Sequence, residues 1–268
     1  EIRVYNPFRS RRSLIGKALE FASDKGHNRR MHNKLWIADG RLAIVGGRNI
    51  GDEYFGANQQ FNFSDLGVRL AGHAVAQAST HFDAYWNSES AIPLAVFACV
   101  ADPDAAVAEA RAAFEAHRAS AAVHGRYSRR RRTLLAGGVT FYELKPIAGQ
   151  PVEATLGSSR ASLHTKAMVI DGRTNFVGSC NLDPRSARLN PESGVVIHDP
   201  DFAAGLRGHY GQARSPQLSC QVCIDGRELV WDDVVDGRQV VLRRESGASF
   251  GRRLRAWLFR LLPLDKQL

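Results

Sequence analysis

Residues 32–49 and 164–181 are written to one pattern, and that repetition limits the possible folds more than any other feature of the chain. The first stretch reads His-Asn-Lys-Leu-Trp-Ile-Ala-Asp-Gly-Arg-Leu-Ala-Ile-Val-Gly-Gly-Arg-Asn. The second reads His-Thr-Lys-Ala-Met-Val-Ile-Asp-Gly-Arg-Thr-Asn-Phe-Val-Gly-Ser-Cys-Asn. His32/His164, Lys34/Lys166, Asp39/Asp171, Val45/Val177, Gly46/Gly178 and Asn49/Asn181 keep identical internal spacing. Further on, Asp65-Leu66-Gly67-Val68 resembles Glu192-Ser193-Gly194-Val195. A lone histidine is usually structural, but two in matched frames are much harder to explain that way.

Each copy predicts a hairpin. Leu35–Ala38 and Leu42–Val45 flank Asp39-Gly40, and Ala167–Ile170 and Asn175–Val177 flank Asp171-Gly172-Arg173. Asp-Gly between apolar runs is a strong hairpin signal. Residues two apart in a strand point to one side, so His-x-Lys aims an imidazole and an ammonium at one place. The returning strand ends in Gly-x-x-Asn, whose glycine lets backbone come close and whose amide can reach the same place. Each copy therefore offers half of a phosphate-sized pocket.

The rest of the chain bounds the class. Its 268 residues suit one large or two small domains, and 44% hydrophobic with 24% charged residues exclude disorder and a fibrous repeat. No apolar run reaches the roughly 18–20 residues of a spanning helix. The formal net charge of +9 favours a polyanionic partner or phosphate-bearing substrate, and a solvated basic surface explains it equally well. Cys220-Gln-Val-Cys223 has metal or redox spacing, but no second pair completes a zinc site. His27, His73, His81, His117, His124, His198 and His209 lack comparable frames and read as structural or surface residues. Helices are expected over Val75–Trp86, Asp102–Ala122 and Arg126–Leu135, strands over Val139–Leu144 and across 219–243, and a loop over Pro146–Arg160. The run Arg129–Arg132 and the Trp- and Leu-containing basic tail from Arg252 are candidate membrane-surface contacts.

The duplicated His-x-Lys-x4-Asp pattern is identified as the signature of the phospholipase D superfamily. Its flanks, Arg3-Val4-Tyr5-Asn6-Pro7-Phe8, Gly46-Gly47-Arg48-Asn49-Ile50-Gly51-Asp52-Glu53-Tyr54-Phe55 and Asn181-Leu182-Asp183-Pro184-Arg185-Ser186, look like bacterial cardiolipin synthases of the C type. The resemblance covers residues 1–86 and 124–268. It implies an α/β fold of two similar α-β-α half-domains about a pseudo-twofold axis, with both His-x-Lys hairpins at their interface. The expected division is a first half over 1–86, a connection over 87–123 and a second half over 124–268. The first motif comes early and the connection is short for the family, so a truncated chain with an internal deletion is expected.

Phosphodiester transfer needs a nucleophile, an acid for the leaving alkoxide, and cations around the phosphate. Two imidazoles can divide the first two tasks. The resemblance gives the attack to His32 and general acid/base work to His164. Lys34 and Lys166 would neutralise the non-bridging oxygens, and Asn49 and Asn181 would donate to them. Glu192 is the candidate to orient His164, and Asp65 to orient His32. Asp39 and Asp171 complete the catalytic signature, although their place at hairpin turns suits a backbone role better. Ser179, Gly47, Arg48 and Arg185 are the candidate substrate-binding residues. No metal or cofactor is implied, because the two lysines supply the charge.

The function expected on this reading is a phosphatidyltransferase making cardiolipin, working peripherally at the cytoplasmic face of the bacterial inner membrane. Its partners would be anionic phospholipids and the membrane surface, with a helper protein left open. A phospholipase D-type hydrolase, a nuclease and a non-catalytic membrane-binding fragment are the alternatives. Paired motifs in one chain weigh against the nucleic-acid partner.

Overall fold

The computed structural model describes residues 1–7, 29–57, 62–96, 131–145 and 161–243. The expectations for Asp102–Ala122, for Pro146–Arg160, for Arg129 and Arg130 and for the tail from Arg252 lie outside these residues. The described chain is mixed α/β, with fourteen strands, β1 to β14, and few helices.

The two repeats build matching three-stranded antiparallel sheets. In the first, β2 (Leu35–Ala38) pairs with β3 (Leu42–Gly46), and β3 with β5 (Gly67–Ala71), with Leu35 opposite Val45 and Val45 opposite Val68. In the second, β9 (Ala167–Ile170) pairs with β10 (Thr174–Gly178), and β10 with β11 (Gly194–His198), with Ala167 opposite Val177 and Val177 opposite Val195. The returning strand is central in both. Period-two alternation buries Ala43, Val45 and Val177 and leaves Leu42 and Ile44 outside. The helix His73–Trp86, two residues longer than expected at its start, packs behind the first hairpin and buries Val75 completely.

A shorter pairing ties one repeat to the other. β4 (Asn62–Ser64) runs parallel to β8 (Ala161–Leu163), so Ser64 lies opposite Leu163 just before the second motif begins. β1 (Arg3–Tyr5) pairs with β6 (Ala91–Pro93).

Contacts divide the chain into two compact units, Glu1–Cys99 with Pro151–Leu206, and Val100–Gln150 with Arg207–Lys266. Both repeats lie within the first. In the second, β7 (Phe141–Leu144), β12 (Ser219–Asp225), β13 (Glu228–Val235) and β14 (Arg238–Leu242) form a sheet in the order β14-β13-β12-β7. Cys220, Val222 and Trp231 are its core, with Leu135 from the helical residues 131–136 against them. Three polar contacts lie inside this unit. Arg131 pairs with Glu143 at 3.0 Å, the Trp231 indole N–H donates to Glu143 at 2.8 Å, and Lys145 pairs with Asp233. Cys220 and Cys223, three apart on one strand, face opposite sides of the sheet, and both thiols are free. Burial and Asp233 push the Cys220 thiol up to about 11, so it is an inert core thiol. No helix among the described residues is long and apolar enough to cross a membrane.

Candidate active site

Each hairpin fixes its own motif in the same way. Gly46 N–H donates to Lys34 C=O at 3.3 Å, and Gly178 N–H to Lys166 C=O at 3.1 Å, so the returning strand holds each lysine's backbone. These glycines permit a close approach that a side chain would block. A Cβ on Gly46 would stand 2.6 Å from Leu66 O, and one on Gly178 2.3 Å from Ser193 O. Each lysine then folds back on its own motif. Lys34 Nζ donates to His32 C=O at 2.9 Å and Lys166 Nζ to His164 C=O at 2.5 Å.

The carboxylate partners are exchanged relative to the sequence expectation. His32 Nδ1 is 2.7 Å from Glu192 Oε2, and His164 Nδ1 is 2.8 Å from Asp65 Oδ2. Each imidazole is therefore oriented by a carboxylate from the other repeat. Backbone pairing is the reason. His32 N–H donates to Pro191 C=O at 3.1 Å and Lys34 N–H to Ser193 Oγ at 3.1 Å, which lays the first motif beside the Glu192 segment. His164 N–H donates to Ser64 C=O at 2.9 Å, which lays the second motif beside Asp65. A carboxylate beside Nδ1 keeps a proton there and leaves the Nε2 lone pair open.

Ser179 and Gly47 do not line a substrate pocket as expected. Both are buried behind the carboxylates. The Ser179 hydroxyl donates to Glu192 Oε2 at 2.6 Å and accepts Ser193 N–H at 3.0 Å. At the matching place the Asp65 carboxylate fills the space of a side chain, since a Cβ on Gly47 would lie 2.6 Å from both its oxygens. The longer glutamate is braced by a hydroxyl, and the shorter aspartate is seated on a bare backbone.

Asp39 and Asp171 are not part of the cluster. Both are exposed turn residues with φ of +51°, followed by Gly40 and Gly172 at +62° and +67°. Consecutive positive φ values are what a type I′ hairpin turn requires. A strand advances about 3.3 Å per residue, which carries Asp39 roughly 16 Å along the hairpin from Lys34. Asn49 is exposed, and its amide donates to the Tyr54 hydroxyl at 2.8 Å rather than lying open beside the lysines. Asn181 is half-buried. Arg48 is exposed with its guanidinium 3.3 Å from Asp65 C=O, and Arg185 Nε donates to Asn190 Oδ1 at 3.3 Å. Both arginines thus brace the segments carrying the carboxylates.

Sequence reasoning missed Tyr54, Phe63, Asn190 and Ser193 as parts of the site. The Tyr54 and Phe63 rings each lie 5.2 Å from the His164 ring. Asn190 Oδ1 also accepts Arg30 N–H at 3.3 Å. Ser193 had a usable signal, since it stands beside Glu192 where Leu66 stands beside Asp65.

Burial dominates the electrostatics. It lowers the Lys166 pKa to about 8 against the opposing pull of Asp65, with Lys34 lowering it further and Glu192 raising it. Lys34 is lowered by burial against the pull of Glu192 and Asp65. His164 is lowered by burial against its bond to Asp65, so the neutral ring is favoured. Two ammonium groups, two carboxylates and two imidazoles thus share one partly desolvated place, where charges interact more strongly than in water. Such a set can hold a phosphodiester, attack it and move a proton.

A family model described as the cardiolipin synthase, phospholipase D-like domain matches residues 109–213. Cardiolipin synthase C of Escherichia coli K12 is 28% identical over 377 residues, covering 99% of this chain and 78% of the relative. That alignment is longer than the 268-residue chain, so the relative carries stretches with no counterpart here. Cardiolipin synthase 1 of Staphylococcus epidermidis is 25% identical over 268 residues, covering 83% of this chain and 53% of the relative. An uncharacterised protein of Helicobacter pylori is 22% identical over 98% of this chain and 72% of its own. No solved structure matches the chain. The resemblance read from the duplicated motif is borne out.

Proposed function

From a chain similar to bacterial cardiolipin synthases of the phospholipase D superfamily, we propose a phosphatidyltransferase that makes cardiolipin from phosphatidylglycerol and a second phospholipid. The observation that carries this reading is the reciprocal pairing of His32 with Glu192 and His164 with Asp65 around buried Lys166 and half-buried Lys34. The repeats would be two half-domains about a pseudo-twofold axis, meeting at this cluster. The protein would act peripherally at the cytoplasmic face of the inner membrane.

In the first half-reaction His32 Nε2 attacks phosphorus, a P–N bond forms, and the P–O bond to the leaving alcohol breaks. Protonated His164 gives its proton to that alkoxide. In the second, the primary hydroxyl of phosphatidylglycerol passes its proton to His164 and attacks phosphorus, and the P–N bond breaks. Lys34 and Lys166 balance charge on the non-bridging oxygens throughout. Glu192 and Asp65 hold the rings and offset the imidazolium charge.

The lowered His164 pKa favours a second assignment, with His164 attacking and His32 moving the proton, because a nucleophilic imidazole must be neutral. Trapping with a slow substrate and digestion without acid decides. Phosphate-linked mass on the peptide containing His32 supports the first assignment, and on the one containing His164 the second. Neither would leave direct in-line displacement. The function itself is tested by mass spectrometry of lipid products from vesicles of defined composition. Cardiolipin is expected, phosphatidic acid alone would mean hydrolysis, and loss of both products is expected for His32→Ala and His164→Ala.

A further inference from the structure

Asn49 and Asn181 are each followed by an aliphatic side chain standing in solvent. Ile50 is 100% exposed and Leu182 90%. Phe55, closing the 3-10 turn Asp52–Tyr54, is 65% exposed. Single exposed hydrophobic residues are ordinary on any surface. Ile50 and Leu182 differ in occupying the same position of the two repeats, each four residues past the end of the returning strand.

Both loops are fixed, so the exposure is built in. Asn49 is tied to Tyr54, whose N–H donates to Gly51 C=O at 3.0 Å and whose ring lies against His164. Leu182 sits between buried Ser179 and the short helix Pro184–Arg188, where Asp183 Oδ1 accepts the N–H groups of Arg185 and Ser186 at 2.9 and 2.8 Å. Exposed Arg48 and Arg188 accompany them, on a chain of net charge +9, while Asp183 is used in the cap and Asp52 is the exposed acid of the first loop.

We propose that Ile50, Leu182 and Phe55 form a two-sided rim that enters the headgroup region of an anionic lipid bilayer and seats the cluster against the phosphate plane. The proposal rests on the lipid reading of the site. Aliphatic and aromatic tips enter the headgroup–acyl boundary, and neighbouring arginines meet lipid phosphates. A soluble phosphodiester would give such a rim nothing to enter.

The test uses the full chain. Wild type and the variant Ile50→Ser/Leu182→Ser/Phe55→Ser are sedimented with vesicles of equal phosphatidylglycerol and phosphatidylcholine, and with phosphatidylcholine alone. Turnover is followed on the mixed vesicles and on bis-p-nitrophenyl phosphate, which needs no bilayer. The variant should melt as wild type, keep its turnover of the soluble diester, and lose about 10- to 100-fold in binding and turnover on anionic vesicles. Ile50→Trp and Leu182→Trp should each give blue-shifted emission on those vesicles. Wild-type binding by the triple variant, or no shift at either tryptophan, overturns the rim, as would failure of wild type to bind. Vesicle binding through these residues without phosphodiester turnover would instead overturn the enzymatic reading and leave the rim standing.

Discussion

Glu192 and Asp65 hold histidines that lie far from them in sequence, and their removal should be felt there. Glu192→Gln and Asp65→Asn should each cut turnover by roughly 10³-fold with the fold retained. Double-mutant cycles should give strong coupling for His32 with Glu192 and for His164 with Asp65. Coupling of His32 with Asp65 and of His164 with Glu192 would restore the pairing expected from sequence. The histidines and lysines were legible because their spacing is local to one hairpin. Their partners were not, since side-chain length says nothing about which segment backbone hydrogen bonds bring alongside. A second expectation concerns Lys166. In the proposed mechanism its ammonium balances the phosphate charge, so activity should fall as pH rises through about 8, well below the usual lysine range. Stability runs the other way. Between about 8 and 10.5 the unfolded chain holds the extra proton, so stability rises with pH in that window and the full cost of the buried charge remains below it. Lys166→Met should abolish turnover and raise the melting temperature at pH 7. An unchanged or lower melting temperature would contradict the burial argument.

At the scale of elements, the hairpins were the most readable part of the chain. Both Asp-Gly turns stand where expected, and the strands around them differ by a residue at most, because turn chemistry and alternation act locally. In the second unit the 219–243 stretch divides into three strands. Asp225 continues β12 opposite Glu228, leaving Gly226-Arg227 as the loop. The parallel pair β4–β8 was invisible, since three-residue strands about a hundred positions apart carry no periodic signal. The turn aspartates separate a backbone role from a chemical one. Asn tolerates positive φ and a β-branched residue does not. Asp39→Asn and Asp171→Asn should keep most of the activity, while Asp171→Val should lose about 1–2 kcal/mol in denaturant unfolding. Loss of activity in the asparagine variants with stability intact would return the aspartates to the chemistry.

For the whole molecule, the contact division predicts that the two units melt separately. Orthovanadate, a mimic of pentacoordinate phosphorus, should raise only the calorimetric transition of the unit holding both repeats, by about 2.7 kcal/mol at a hundredfold excess over its Kd. An equal shift of both transitions would deny that the site lies within one unit. The duplication itself was plain in the sequence, whereas the grouping of both copies in one compact unit depends on contacts between distant segments that no local pattern encodes. The exchanged carboxylates also make the two copies a conjunction rather than a sum. A conventional duplicate provides a spare, and one copy can decay while the other works on. Here the decay of either copy removes a histidine from its own half of the cluster and the carboxylate that holds the other copy's histidine, so the chain has two inputs and no redundancy. Duplication of this kind locks both copies under the same selection, and drift in one must be answered by the other.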